Sequence, residues 1–281
     1  MSEVFKKADK IAVFDADNTL WDWVGLKNKE VDAMISYFMG ITDLSRQEVL
    51  RSISKVYQQQ GTPDYSGLIQ NMDIFQGLKR SHIVDLIRGC IDVCIQVRRT
   101  DLKLYEGVEN LLQTLKTRED IATCVVSDAP MSELLTRSRH TDSYKYFDML
   151  FGQPEKREEH VARVIESARG AKIPFQYLRS HKPNVFLGKS LGLSDGDVNK
   201  KVTIIGNSEK ADLGMAVRNQ CRCLLAGWGA SPIEIADNVT QMVYAKPERV
   251  DMPLTEDLIK MIKAVDVHVL DKPSDVEKYF A

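Results

Sequence analysis

The stretch Lys10-Ile11-Ala12-Val13-Phe14-Asp15-Ala16-Asp17-Asn18-Thr19-Leu20-Trp21 decides the fold. Ile11 to Phe14 is a continuous apolar run that stops at Asp15. Unbroken rather than alternating apolarity predicts a strand buried on both faces, as in a parallel sheet covered by helices. A carboxylate that ends such a strand is well positioned by rigid backbone. Asp17, two residues on, can turn toward the same centre, so that one carboxylate attacks while the other moves a proton. Taken alone, the pair fits a solvated turn or a helix cap equally well.

Outward from this strand the pattern becomes helical over residues 24–99. Val31, Met34, Ile35 and Phe38 recur at helical spacing, with Gly40 as a C-cap. Ser45 and Glu48 form a capping box ahead of Val49, Leu50, Ile53, Val56 and Tyr57. Gly61-Thr62-Pro63-Asp64 and Ser66-Gly67 mark a loop, and a third helix is expected from Ser81 to Arg99. Residues 22–103 therefore read as a helical domain inserted into a core made of residues 1–21 and 104–281.

After Thr100 helices and strands alternate. The expected helices are Gly107–Lys116, Glu158–Ala168, Asn184–Leu191 and Ala211–Asn219; the expected strands are Ile121–Val126, Val202–Ile205 and Cys221–Ala226. Such alternation predicts right-handed crossovers and an α/β fold with a doubly wound parallel sheet.

Composition narrows the function. The 281 residues carry 38 basic and 40 acidic side chains, a net charge of −2, which argues against a nucleic-acid binder that relies on a global basic field. The charged opening, Met1 to Lys10, has no apolar signal region, and no stretch reaches the roughly 18–20 apolar residues of a spanning helix. Five sparse cysteines, Cys90, Cys94, Cys124, Cys221 and Cys223, suit small buried hydrophobes in a reducing compartment. A cytoplasmic protein without membrane or nucleic-acid partners is the expectation, as a monomer or homodimer.

In doubly wound sheets ligands bind beyond the C-terminal ends of the strands. The residues there are Asp15, Asp17 and Thr19, then Ser127 and Asp128, then Gly206-Asn207-Ser208 and Asp212. Carboxylates and hydroxyls collected at one edge suit a hard, oxygen-ligated cation such as Mg²⁺ together with a phosphate.

The order of these groups resembles the haloacid dehalogenase (HAD) superfamily. Ile11 to Trp21 is similar to its first motif, Asp-x-Asp-x-Thr after an apolar strand. Ser127 after Cys124-Val125-Val126 matches the second, Lys182-Pro183 the third, and Gly206-Asn207 followed by Asp212 the fourth. Leu104 to Val108, Tyr146-Phe147-Asp148 and Ala226 to Gly229 are further echoes.

The resemblance implies a Rossmann-like core with a helical cap over residues 22–103. It implies Asp15 as the nucleophile that forms an aspartyl-phosphate, and Asp17 as general acid and then base. Thr19, Ser127, Asp128 and Lys182 would serve the phosphoryl group, and Mg²⁺ would sit among Asp15, Asp17, Asn207 and Asp212. The expected activity is a Mg²⁺-dependent phosphatase for a small phosphorylated metabolite. A metal-free 2-haloacid dehalogenase, a phosphomutase and a non-catalytic regulatory module are the alternatives. Asp17 opposes the dehalogenase, because a halide leaves without a proton.

Two departures stand out. Asn207 occupies a position that usually holds Asp, which predicts weaker Mg²⁺ binding with Asp212 compensating. The interval from Ser127 to Lys182 is also long, with its excess around Gln153 to Arg179, near Arg157, Glu158, Glu159 and Glu166. A solvated surface helix, a second small cap or a dimer contact fits there. Trp21 and Trp23, beside the insertion, suit either hinge packing or a pocket wall. His82, His140 and His160 read as surface residues, whereas His181 precedes Lys182 and could approach the site.

Overall fold

The computed structural model describes residues 3–60, 67–155, 158–229, 263 and 265–281. Seven strands form one sheet: β1 (Lys10–Phe14), β2 (Ile121–Pro130), β3 (Met149–Gln153), β4 (Phe175–Tyr177), β5 (Val202–Gly206), β6 (Arg222–Ala226) and β7 (Val267–Leu270). Their order is β4-β3-β2-β1-β5-β6-β7, and every neighbouring pair is parallel. This is the α/β fold with a doubly wound parallel sheet that the alternation predicts.

β1 is the centre of the sheet, and Ile11, Ala12 and Val13 have no solvent exposure. Ile11 and Val13 pack in one core with Cys124, Val126, Ile204 and Cys223. The chain winds one way through β2 to β4 and the other way through β5 to β7. The reversal at β1 is the switch point at which such sheets open a crevice. Phe14 lies level with Val125 of β2 and Ile205 of β5. The residues that follow these three positions therefore emerge side by side.

Three strands lie outside the sequence expectation. β4 has three residues and β7 four, too short for a periodicity to register. β3 follows Tyr146-Phe147-Asp148 and is fully buried, yet its Gly152 and Gln153 interrupt the apolar run. Around Gln153 to Arg179 the chain forms a helix, Glu158–Ala171, that buries Val164 and Ala168, and then enters the sheet as β4. The added length extends the core sheet. Arg157 and the side chains of Glu158, Glu159 and His160 lie outside the described residues, whereas Glu166 is exposed.

The helix expected at Asn184 begins only at Leu187, after a turn closed from Asn184 N–H to the His181 carbonyl. The helix expected over Ala211–Asn219 opens as a π-helical turn, Glu209–Leu213, capped by Ser208 Oγ, and continues as Gly214–Asn219.

The described residues divide into two compact units: one of residues 3–22, 103–229, 263 and 265–281, the other Trp23–Leu102. The second is helical, with main helices Trp23–Ile41, Arg46–Gln60 and Arg80–Asp101. Val31, Ile35, Phe38, Val49, Ile53 and Met72 are buried in its own core. The first helix runs one residue past Gly40, so that glycine does not end it. Ser45 and Glu48 do form the reciprocal capping box, with Ser45 N–H donating to Glu48 Oε2 at 2.8 Å and Glu48 N–H to Ser45 Oγ at 3.4 Å. The expected loop residues Gly61 to Asp64 and Ser66 lie outside the described residues. All five cysteines are free thiols, four of them buried.

Candidate active site

Asp15 leaves the end of β1 with its N–H bonded to the Ile205 carbonyl of β5 at 2.8 Å. Strand pairing therefore fixes its backbone. Lys182 Nζ reaches Asp15 Oδ1 at 2.5 Å and Asp212 Oδ1 at 2.6 Å. The Lys182 side chain is 4 % exposed, that of Asp15 10 % and that of Asp212 not at all. Two carboxylates thus share one ammonium away from water. Burial first, and then the charge of Asp212, push the Asp15 carboxyl from its ordinary 3.8 up to about 7, against the pull of Lys182. Burial opposes the charge on Lys182, but Asp15 and Asp212 outweigh it and raise its pKa.

The structure gives Asp212 a supporting place. Oδ1 accepts from Lys182 and Oδ2 from the Ser208 N–H at 3.0 Å. Both oxygens are hydrogen-bonded, so Asp212 is held firmly beside Lys182. Gly206 makes this possible: a Cβ there would lie 2.3 Å from Asp212 Cγ.

Thr19, which is buried, donates to Asp15 Oδ2 at 3.4 Å and lies 3.5 Å from Asn207 Oδ1. The amide oxygen of Asn207 therefore joins the Asp15 side of the cluster. Trp228 donates its indole N–H to the Thr19 carbonyl at 3.0 Å. A Cβ on neighbouring Gly229 would fall 1.5 Å from the Asn18 carbonyl oxygen, so only glycine allows this approach to the Asp15–Thr19 turn.

Ser127, at the end of β2, accepts from Ala129 N–H at 3.1 Å. Asp128 holds the loop that carries Lys182. Its Oδ1 accepts from the Lys182 N–H at 3.0 Å and from Gln153 Nε2 at 3.2 Å, and lies 3.4 Å from His181 Nδ1. This carboxylate ties the Lys182 loop to β2. His181 approaches Asp128 and is otherwise exposed; His82 and His140 are exposed too.

Asp17 brings in a residue that the motif reading missed. Its Oδ1 accepts from Trp21 Nε1 at 2.7 Å and from Arg137 NH1 at 2.8 Å, and its Oδ2 from Arg137 NH1 at 2.9 Å. Trp21 is fully buried, so it both packs and holds Asp17. Arg137 lies on the helix Met131–His140, whose buried stripe includes Met131, Leu134, Leu135 and Ser138. A charged residue on that stripe, three positions after Leu134, was the available signal.

The residues around Asp15 fit a hard cation. Asp15 and Asn207 present oxygen donors, and the buried trio of Asp15, Asp212 and Lys182 carries one surplus negative charge.

No protein-family model matches the sequence, and no curated protein matches it. Solved structures do. A provisionally named beta-phosphoglucomutase from Thermotoga maritima superposes with a TM-score of 0.53 at 15 % identity, over 96 % of this chain and 98 % of that one. The chain has the haloacid dehalogenase-like fold. A predicted phosphoglycolate phosphatase from Haemophilus somnus matches at TM-score 0.49 and 15 % identity, over 98 % of this chain and 99 % of that one. A 2-haloacid dehalogenase from Pseudomonas syringae pv. Tomato matches at 0.49 and 13 %, over 84 % and 98 %.

The charge pattern sets a pH dependence. Below pH 3.8 the Asp15 carboxyl is protonated whether the chain is folded or not. Between there and about 7 the unfolded chain loses this proton first, so the folded state holds more protons and stability falls as pH rises. Above about 7 the loss is complete. Asp15→Asn removes the charge, so in chelator at pH 8 it should melt above the wild type, by about 2–4 °C per kcal/mol relieved. The gap should close toward pH 4, as thermal melts across pH would show. Gly206→Ala should destabilise by about 1–3 kcal/mol in urea titration, because its methyl collides with Asp212.

Proposed function

We propose that the chain is a HAD-superfamily hydrolase that cleaves phosphoric monoesters of small metabolites with Mg²⁺. The observation that supports this reading best is Asp15, held at the switch point with Lys182 between it and Asp212. Phosphoryl transfer needs chiefly positioning and charge compensation, and a buried ammonium beside a fixed carboxylate supplies both.

In this reading an Asp15 oxygen attacks phosphorus and the ester oxygen departs with its bonding electrons, taking a proton from Asp17. Water then attacks the phosphorus of the aspartyl-phosphate and gives its proton back to Asp17. Inorganic phosphate and free Asp15 result. Lys182, Thr19 and Ser127 balance and orient the phosphoryl oxygens. Asp15, the Asp17 carbonyl, Asn207 and Asp212 would hold Mg²⁺, which would supply positive charge to offset that of nucleophile and phosphate. The helical unit Trp23–Leu102 contains none of these residues; we assign it, as a cap, the choice of leaving group.

No helix among the described residues is long and apolar enough to cross a membrane. A small-molecule substrate, a cytosolic location and a monomer or homodimer complete the reading.

A panel of phosphomonoesters assayed with Mg²⁺ and with chelator tests it. Wild type should release phosphate only with Mg²⁺, and Asp15→Asn should fall by at least about 10³-fold while remaining folded. Chelator-resistant turnover, or chloride release from a 2-haloacid, would overturn the assignment. Asn207→Asp adds a full charge beside the cation, so the Mg²⁺ concentration for half-maximal rate should drop several-fold. An unchanged titration would place Asn207 outside the coordination sphere.

A further inference from the structure

Arg137 is nearly solvent-free, with its side chain 2 % exposed, and it stands on the core-facing stripe of its helix. An apolar residue would fill that place without taking a guanidinium out of water. Buried ion pairs are often no more stabilising than apolar replacements, so packing alone does not explain a cation there. Its partners indicate what it does. NH1 bonds both oxygens of Asp17, at 2.8 and 2.9 Å, and NH2 bonds Glu133 Oε2 at 3.3 Å, which anchors the guanidinium from behind.

The geometry assigns Arg137 as a positioning residue that fixes the Asp17 carboxylate for proton transfer. The assignment rests on the hydrolysis proposed above. Trp21 Nε1 grips Oδ1 alone, and a carboxylate held through one oxygen can still swing about that bond. Arg137 adds a grip on the second oxygen, and with it one orientation beside Asp15. Misplacing a reacting group by about 1 Å can cost about 100-fold in rate. Two of its hydrogen bonds end on Asp17, and through them it acts on that carboxylate.

The test compares phenyl phosphate, whose leaving group needs a proton, with 4-nitrophenyl phosphate, whose leaving group needs little. Arg137→Met should lower kcat on phenyl phosphate by about 10- to 100-fold, with KM within about twofold and a much smaller loss on 4-nitrophenyl phosphate. Arg137→Lys should recover part of the loss, and serves as the variant should Arg137→Met not fold. In an Asp17→Asn background, Arg137→Met should change phenyl phosphate turnover by less than about twofold. Equal losses on both esters, or losses that multiply with Asp17→Asn, would overturn the assignment.

A readout independent of turnover separates the two claims. The Trp21 indole N–H resonance, identified with Trp21→Phe, should shift or broaden in Arg137→Met as Asp17 loosens. A wild type inactive on every ester with a shifted resonance removes the hydrolase and keeps the clamp; an unmoved resonance removes the clamp.

Discussion

One ammonium between two carboxylates organises the site. Lys182 reaches Asp15 and Asp212 at 2.5 and 2.6 Å from a nearly water-free position. Neither carboxylate would be tolerated there unpaired, and the lysine would not be tolerated without them. The rest of the site serves this contact. Gly206 clears space for Asp212, Ser208 N–H holds its second oxygen, and Asp128 ties the backbone of Lys182 to the end of β2. Removing Lys182 would leave two buried carboxylates without a counter-charge, which costs far more than a surface ion pair is worth.

The sheet makes the contact possible. β1 is flanked on both sides by parallel strands, so Asp15, Ser127 and Asn207 exit the same edge although they lie far apart in sequence. The Lys182 loop follows β4 and is drawn back over that edge by Asp128 and Gln153. The chain leaves the core unit after Asp22 and re-enters it at Lys103. Trp21 pairs antiparallel with Leu104, and Tyr105 N–H bonds the Leu20 carbonyl at 2.9 Å. The two ends of the insertion are therefore pinned together in the core unit.

Much of this is legible in the residues. A continuous apolar run ending in Asp15 marks a strand buried on both faces, and β1 is one. Polar residues after three such runs mark the ligand edge, and Asp15, Thr19, Lys182, Asn207 and Asp212 are brought together there. What escapes a linear reading is the role each oxygen plays. Asp128 and Asp212 look like further ligands in a list of acidic residues. Only the fold shows that Asp212 bonds Lys182 and the Ser208 N–H, and that Asp128 Oδ1 accepts from the Lys182 N–H. Arg137 escapes for the opposite reason: its spacing from Leu134 is visible in the sequence, but its burial depends on a partner 120 residues earlier. β4 and β7 escape because three or four residues carry no period.

Charge accounting explains why Asn207 is compatible with the rest. With Asp at that position, three carboxylates would gather around a single buried ammonium, and the metal-free protein would hold two surplus negative charges out of water. Asp15 is already pushed up to about 7 with one surplus. Asparagine keeps an oxygen directed at Thr19 and the Asp15 side of the cluster while adding no further repulsion. On the proposed reading, the exchange would cost attraction for Mg²⁺ and gain a cluster with less repulsion when the cation is absent. In the proposed hydrolysis, Lys182 would carry a larger share of the work of offsetting the charge of an incoming phosphate. The same reasoning accounts for the depth at which Asp212 is buried: a carboxylate whose task is to hold a lysine is most effective where no water competes for it.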